Sequence, residues 1–196
     1  PHETAYPRLK STVTETELTE IYTPTVEEIT FAEAHTQSET AKVGLLLLLK
    51  TFQRLGYFLP VVEIPQRIVR HITRSVGLVA VPDGLATYDT SHTRIRHLSL
   101  IRTRLQITAY SRAVRPFLLS TGQEAAETKE DVADIINVLI ETLIRHRYEL
   151  PAFNTLERVA VTARALVNRR YHHRIAIRLT ATQRAQLDTL LTRAPD

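Results

Sequence analysis

The sequence VGLLLLLKTFQRLGYF, residues 43–58, decides the fold. Its five consecutive leucines, Leu45–Leu49, place apolar side chains on every side of a helix, which is typical of a helix buried at the centre of a bundle. Ser38 or Thr40 is a suitable residue to start this helix, and Gly56 is a natural residue to end it. We therefore predict a central, buried helix between these residues.

The composition indicates that the rest of the chain is helical too. The chain has 196 residues, of which 43% are hydrophobic and 6% aromatic, with only 5 glycines and no tryptophan. β-Sandwiches and barrels need many turns, so this composition argues against them and favours an all-α fold. Because the chain contains no cysteine, a disulfide scaffold, a thiolate zinc site and a cysteine nucleophile are excluded.

Helix start and stop signals divide the remaining sequence into further helices. These are predicted at residues 15–22, 26–35, 65–76, 89–105, 116–126, 131–146, 154–174 and 181–193. Residues 81–88 are predicted to be a connection, because they contain the turn sequence Pro82-Asp83-Gly84.

The predicted helices form two modules of helix-turn-helix character. The first covers residues 20–108 and the second covers residues 112–178. We expect a loose N-terminal arm at residues 1–19, and we expect residues 179–196 to begin a following helical segment.

The charge of the chain is strongly segregated. The basic residues are 21 arginines and 4 lysines, and the formal net charge is +4. Residues 1–41 carry eight acids against two bases, whereas residues 42–118 carry twelve bases against three acids. This segregation indicates a polyanion as partner. A solvated surface with internal ion pairs remains an alternative explanation.

The helix predicted at residues 65–76 has the sharpest pattern. One face is apolar, with Ile68, Ile72 and Val76 at helical spacing. The opposite face contains no acid and carries Arg67, Arg70, His71 and Arg74. We predict that this helix enters a DNA groove, with these four side chains as contacts to bases or phosphates. An ordinary solvated face is the alternative.

Two other helices supply weaker candidates for phosphate contacts. In helix 89–105, Ile95, Leu98, Ile101 and Leu105 are predicted to face inward, and Arg96, His97 and Arg104 to point away from them. In helix 154–174, the predicted inner stripe is Leu156, Val159, Ala160, Ala163, Leu166 and Val167. The candidates on these two helices are Arg96, Arg104, Arg158, Arg164 and Arg169.

No arrangement of residues predicts catalysis, a metal site or a cofactor in this chain. The eight histidines lack metal-ligand spacing, and there is neither an HExxH motif nor a phosphate-binding glycine-rich loop. The longest apolar run, Val43–Leu49, is far shorter than the roughly 20 residues that a bilayer requires. No secretory signal is recognisable, so we expect a soluble, cytoplasmic protein.

Four ordered motifs resemble the N-terminal region of Tn-three-family transposases, the large replicative transposases of bacteria. LKTFQRLGYF at residues 49–58 is similar to a stretch near the N-terminus of that family. The sequence IPxxIVxHI at residues 64–72 resembles the segment that follows it. The spaced pattern Y..S.T...H...IR at residues 88–102 fits a third segment, and ELPAFNTLERVA at residues 149–160 fits a fourth.

The resemblance implies that the chain binds the terminal inverted repeats of a transposon in double-stranded DNA. In that family, a distant RNase H-like domain with an acidic triad and two metal ions performs strand transfer, and we expect that domain to lie outside this chain. The resemblance also implies a bacterial, nucleoid-associated location. The absence of an initiator methionine fits an excised fragment.

Two further functions stay open at this point. One is a helical protein-interaction module for transpososome assembly, including self-association through the full-length transposase. The other is a standalone helical enzyme, which ranks last because no site can be assembled from the sequence.

Overall fold

The computed structural model describes residues 4–10 and 12–192 and confirms an all-α fold. The helices of this part of the chain are α1 (Glu15–Glu17), α2 (Val26–His35), α3 (Glu39–Leu55), α4 (Gln66–Ser75), α5 (Leu85–Tyr88), α6 (His92–Leu105), α7 (Arg115–Ala126), α8 (Val132–Arg145), α9 (Phe153–Ala176) and α10 (Ala181–Thr192). A π-helical turn, Leu18–Tyr22, continues α1, and two 3-10 turns lie at Val61–Glu63 and Arg112–Val114.

Local sequence signals set the bounds of the helices before α4. Thr25 caps α2 in a capping box, in which its hydroxyl accepts a hydrogen bond from the amide of Glu28 and the Glu28 side chain binds the amide of Thr25. Ser38 is the N-cap residue of α3, and Gly56 ends this helix with a left-handed φ of 75°. The predicted bounds of both helices are therefore confirmed.

The chain divides into two compact units. The N-terminal unit consists of Ala5–Ser111 together with Ile140–Ala152. Within the described part of the chain, the C-terminal unit contains Arg112–Leu139, residues 153–192 and Thr4. The N-terminal unit is therefore formed by two separate segments of the chain, and α8 contributes residues to both units.

The core of the N-terminal unit surrounds α3. Leu45–Leu49 are completely buried, as predicted, and α2, α4, α5, α6 and the π-helical turn all pack against α3. Gly44 allows the ring of Tyr88 to lie directly against the helix backbone, since a Cβ at this position would come within 2.6 Å of the ring. The helix identified from its leucines is therefore the centre of this unit.

Two predictions near α6 are wrong. Residues 81–88 are not only a connection, because Leu85–Tyr88 form α5 and bury Leu85 and Tyr88 against the core. On α6, His97 is completely buried while Ile95 is 62% exposed, which reverses their predicted positions. A hydrogen bond of 2.6 Å between Tyr88 Oη and His97 Nδ1 gives one nitrogen of the buried imidazole a partner, which lowers the cost of burying the ring.

The N-terminal arm is docked on the unit in its described part, where we expected it to be loose. Val13 is buried, and the rings of Tyr6 and Tyr57 stack with their centroids 5.3 Å apart. The hydroxyl of Tyr57 donates to the carbonyl of Pro7, and that of Tyr6 donates to the carbonyl of Pro151. Apolar burial and side-chain hydrogen bonds therefore both hold the arm.

The C-terminal unit is built on the packing of α7 against α9. Gly122 of α7 lies against Ala163 of α9, where an added Cβ would approach the alanine Cβ to 3.0 Å. Most of the predicted inner stripe of α9 is buried, but Leu166 is partly exposed. Beyond Val167, no residue of α9 is buried.

Candidate nucleic-acid interface

Helix α4 is held against its unit by the buried side chains of one face. Its apolar face buries Ile68, Val69 and Ile72 against α3 and the π-helical turn. Thr73 is buried as well, and its hydroxyl donates to the carbonyl of Val69 at 2.8 Å. This packing fixes the position and rotation of the helix, so the side chains of its opposite face start from a rigid base.

Arg67 is already bound by the segment around α1. Its guanidinium donates to the carbonyl of Val13 at 2.7 Å and to the carboxylate of Glu15 at 3.1 Å. The face of α4 has no acid of its own, but the fold brings one to it. Both side chains of the ion pair are more than half exposed, so its contribution to stability is about 0–1 kcal/mol.

His71 is also engaged within the molecule. It is half-buried, and its Nε2 lies 2.8 Å from the hydroxyl oxygen of Thr23. Burial lowers the pKa of His71 below its ordinary value of 6.5, and the nearby Glu15 opposes that shift. The direction of this shift favours the neutral form of the ring.

Arg70 and Arg74 are the two available cations of α4. Both are exposed, and neither makes an ion pair or a side-chain hydrogen bond to any residue that the structure describes. They are separated by one helical turn and share one face of the helix. Arg74 also lies in the last turn, where the helix dipole favours a positive charge.

The weaker candidates of the N-terminal unit make contacts through their guanidinium groups. Arg96 donates to the carbonyl of His35 at 3.4 Å, at the end of α2. Arg104 lies over the ring of Phe31, 4.5 Å from its centroid, in a cation–π contact. Both side chains remain exposed, and neither of these contacts involves a carboxylate.

The three candidates on α9 differ from one another. Arg164 is half-buried and donates to the carbonyls of Ala126 and Lys129, at 3.3 and 2.6 Å, so it binds free carbonyl groups at and just beyond the C-terminal end of α7. Arg158 donates to the carbonyl of Asn154 within its own helix. Arg169 is exposed and has no side-chain partner among the described residues.

Ion pairs that the sequence did not reveal neutralise several central cations. Lys50 and Glu28 form a buried pair at 3.2 Å, and Gln53 donates to the same carboxylate. These residues lie on different helices, so no local spacing could have shown the contact.

Two arginines of α6 are neutralised in the same way. Arg94 lies 3.0 Å from Asp89, a carboxylate that also accepts hydrogen bonds from the amides of Val61 and Val62. Arg102 lies 2.8 Å from Glu149. The excess of bases in residues 42–118 therefore overstates the charge that this region offers to a partner.

Within the described residues, no three side chains of the metal-binding types come together as a candidate metal site. No helix in that same part of the chain is long and apolar enough to cross a bilayer.

Comparison with known proteins identifies relatives of the chain. A family model described as "Domain of unknown function (DUF4158)" matches residues 2–163. The chain is also similar to the transposase for transposon Tn1546 of Enterococcus faecium, with 22% identity over 156 residues. The similar region covers 79% of this chain but only 16% of that transposase.

Proposed function

The chain belongs to the DUF4158 family and is a transposase-related region, and from this premise we propose that it binds the terminal inverted repeats of a transposon in double-stranded DNA. The observation that carries the proposal is the pair Arg70 and Arg74, two exposed arginines without an ion-pair partner among the described residues, on a helix whose opposite face is buried. Arginine suits this role because its planar guanidinium forms two hydrogen bonds to the major-groove edge of guanine.

The proposed division of labour follows from how each arginine is held. Arg70 and Arg74 would contact base edges, since α4 fixes the direction in which they leave the helix. Arg96 and Arg104, which lie on another helix, would contact phosphates and fix the register of the protein on the duplex. Arg67 would also contact a phosphate once DNA displaces Glu15 from its guanidinium.

In this proposal the chain supplies DNA recognition and not catalysis. Strand transfer and the divalent metal ions that it uses would belong to another part of the transposase. The protein would act in the bacterial cytoplasm, at the nucleoid, where its DNA target lies.

Footprinting on a transposon end tests the proposal. The purified chain should protect a defined part of the inverted repeat, and the protection should weaken steeply as the salt concentration is raised. It should survive an excess of scrambled competitor DNA. Protection that disappears at equal concentrations of competitor would contradict sequence-specific binding.

A second candidate function is assembly through protein contacts. It is favoured by exposed apolar side chains late in the chain, among them Ile175, Ile177 and Leu190. Sedimentation at two salt concentrations separates the two functions. Self-association that is unaffected by salt, without a preference for the repeat, would replace DNA recognition by assembly.

A further inference from the structure

We infer that residues 168–178, here called the distal segment, form a second DNA-binding surface that contacts the sugar–phosphate backbone without reading its sequence. This inference adds a surface outside α4 and rests on the proposed function only for the identity of the polyanion as DNA.

The charge of the distal segment has one sign. No Asp or Glu occurs between Arg158 and Leu187. Within this stretch, the distal segment contains Arg169, Arg170, His172, His173, Arg174 and Arg178. Surfaces that are merely solvated usually mix both signs of charge, whereas a surface for a polyanion does not.

The distal segment has no support from packing. The first part of α9 buries Leu156, Val159 and Val167 against its unit, but every residue from Arg169 to Arg178 is exposed. Most helices in proteins derive their stability from a buried face, and this end of the 24-residue α9 has none. A partner that covers this part of α9 would therefore stabilise it.

The spacing of the cations also favours an anionic partner. Arg170 and Arg174 are four residues apart on α9. Like charges at this spacing repel one another and destabilise a helix. Arg170 is partly compensated by an ion pair with Glu127, whereas the side chains of Arg169, Arg174 and Arg178 have no partner among the described residues.

Backbone contact fits this geometry better than base recognition does. Base readout needs side chains held to within about 0.5 Å by packing and supporting hydrogen bonds. The distal segment offers long arginine side chains on a stretch of α9 that buries no residue against the described part of the chain. Phosphates recur along every duplex, so contacts to them tolerate this freedom and give the same affinity for any sequence.

The test is a triple variant of the full chain, Arg169→Gln, Arg174→Gln and Arg178→Gln. Its affinity should fall by the same factor for the inverted repeat and for a scrambled duplex, so that the ratio of the two is unchanged. The slope of log affinity against log salt should become shallower by about 0.9 for each lost phosphate contact. The matched control replaces three other exposed cations of the same unit, Arg112, Arg115 and Lys129, with glutamine and should retain the wild-type slope.

Hydrogen exchange supplies a second readout. Amides of residues 168–176 should exchange more slowly when scrambled duplex is added to the wild-type chain, and this protection should be absent in the triple variant. An unchanged salt slope, or a loss of affinity for the repeat alone, would overturn the inference. Equal protection by poly-glutamate at the same charge concentration would assign the surface to an acidic protein instead.

These outcomes are separable from those that test the proposed function. A wild-type chain that does not prefer the repeat would refute sequence recognition, and the salt slope on scrambled DNA would still report on the distal segment. Conversely, a clear preference for the repeat with an unchanged slope in the triple variant would refute only the distal segment.

Discussion

Helix α4 and the distal segment of α9 both present exposed arginines, but they differ in what lies behind them. α4 buries Ile68, Val69 and Ile72 against the core of its unit. No residue of the distal segment is fully buried, and those from Arg169 to Arg178 are exposed. The face of α4 is also partly occupied by the protein itself, since Glu15 binds Arg67 and Thr23 contacts His71.

The difference teaches that the packing of the helix that carries an arginine determines which DNA contact this arginine suits. The number of arginines on the surface matters less. A fixed helix can aim two side chains at particular base edges, whereas an unsupported helix can follow a charged backbone. Net charge alone is a poor guide, because Arg94 and Arg102 contribute to it and yet lie in ion pairs.

The largest expected effect comes from removing a buried side chain of α3, the helix against which α4 packs. Replacement of the completely buried Leu47 by alanine should lower the free energy of unfolding by about 2–5 kcal/mol, through lost burial and the cavity that remains. Urea denaturation measures it. Leu187→Ala, at an exposed position of α10, is the control and should change stability by less than about 0.5 kcal/mol. Equal effects of the two substitutions would show that α3 is not the centre of the unit.

Acid should also destabilise the N-terminal unit, through His97. Burial, helped by the nearby Arg96, lowers the pKa of His97 from 6.5 to about 4. The unfolded chain therefore binds this proton at a higher pH than the folded chain does. The stability contributed by neutral His97 is present above pH 6.5 and is lost as the pH falls from 6.5 towards 4. The loss should be on the order of 3 kcal/mol at pH 4.

Urea denaturation between pH 4 and pH 7 checks this prediction. His97→Leu should flatten the dependence of stability on pH in that window, whatever its effect on stability at pH 7. Parallel pH profiles for the variant and the wild type would contradict the role of His97.

The smallest expected effect concerns the contact between α1 and α4. Glu15→Gln should free Arg67 and raise the affinity for DNA about 1.4- to five-fold, because exposed ion pairs contribute about 0.2–1 kcal/mol. Fluorescence anisotropy at fixed salt measures the change. Glu20→Gln removes an equal charge from the adjoining π-helical turn, so a gain of the same size there would show that Arg67 is not specifically released.

Some of these features could be predicted from the sequence and others could not, for physical reasons. The bounds of α2 and α3 follow from Thr25, Ser38 and Gly56, whose effects are local. The buried His97 escaped prediction because its partner, Tyr88, lies outside the helical repeat of α6. Helical periodicity located the arginine face of α4, but the contact of Arg67 with Glu15 spans 52 residues and leaves no periodic signal.

The most direct test of the account compares how two sets of substitutions change the ratio of affinities for the inverted repeat and a scrambled duplex. Arg70→Ala with Arg74→Ala should reduce this ratio, at about 1–3 kcal/mol for each arginine that reads a base. The triple variant of the distal segment should leave it unchanged, as should Arg145→Ala, which removes an exposed arginine already paired with Glu141. An unchanged ratio in the α4 variant, or a reduced one in the distal variant, would contradict the division between sequence reading by α4 and backbone contact by α9.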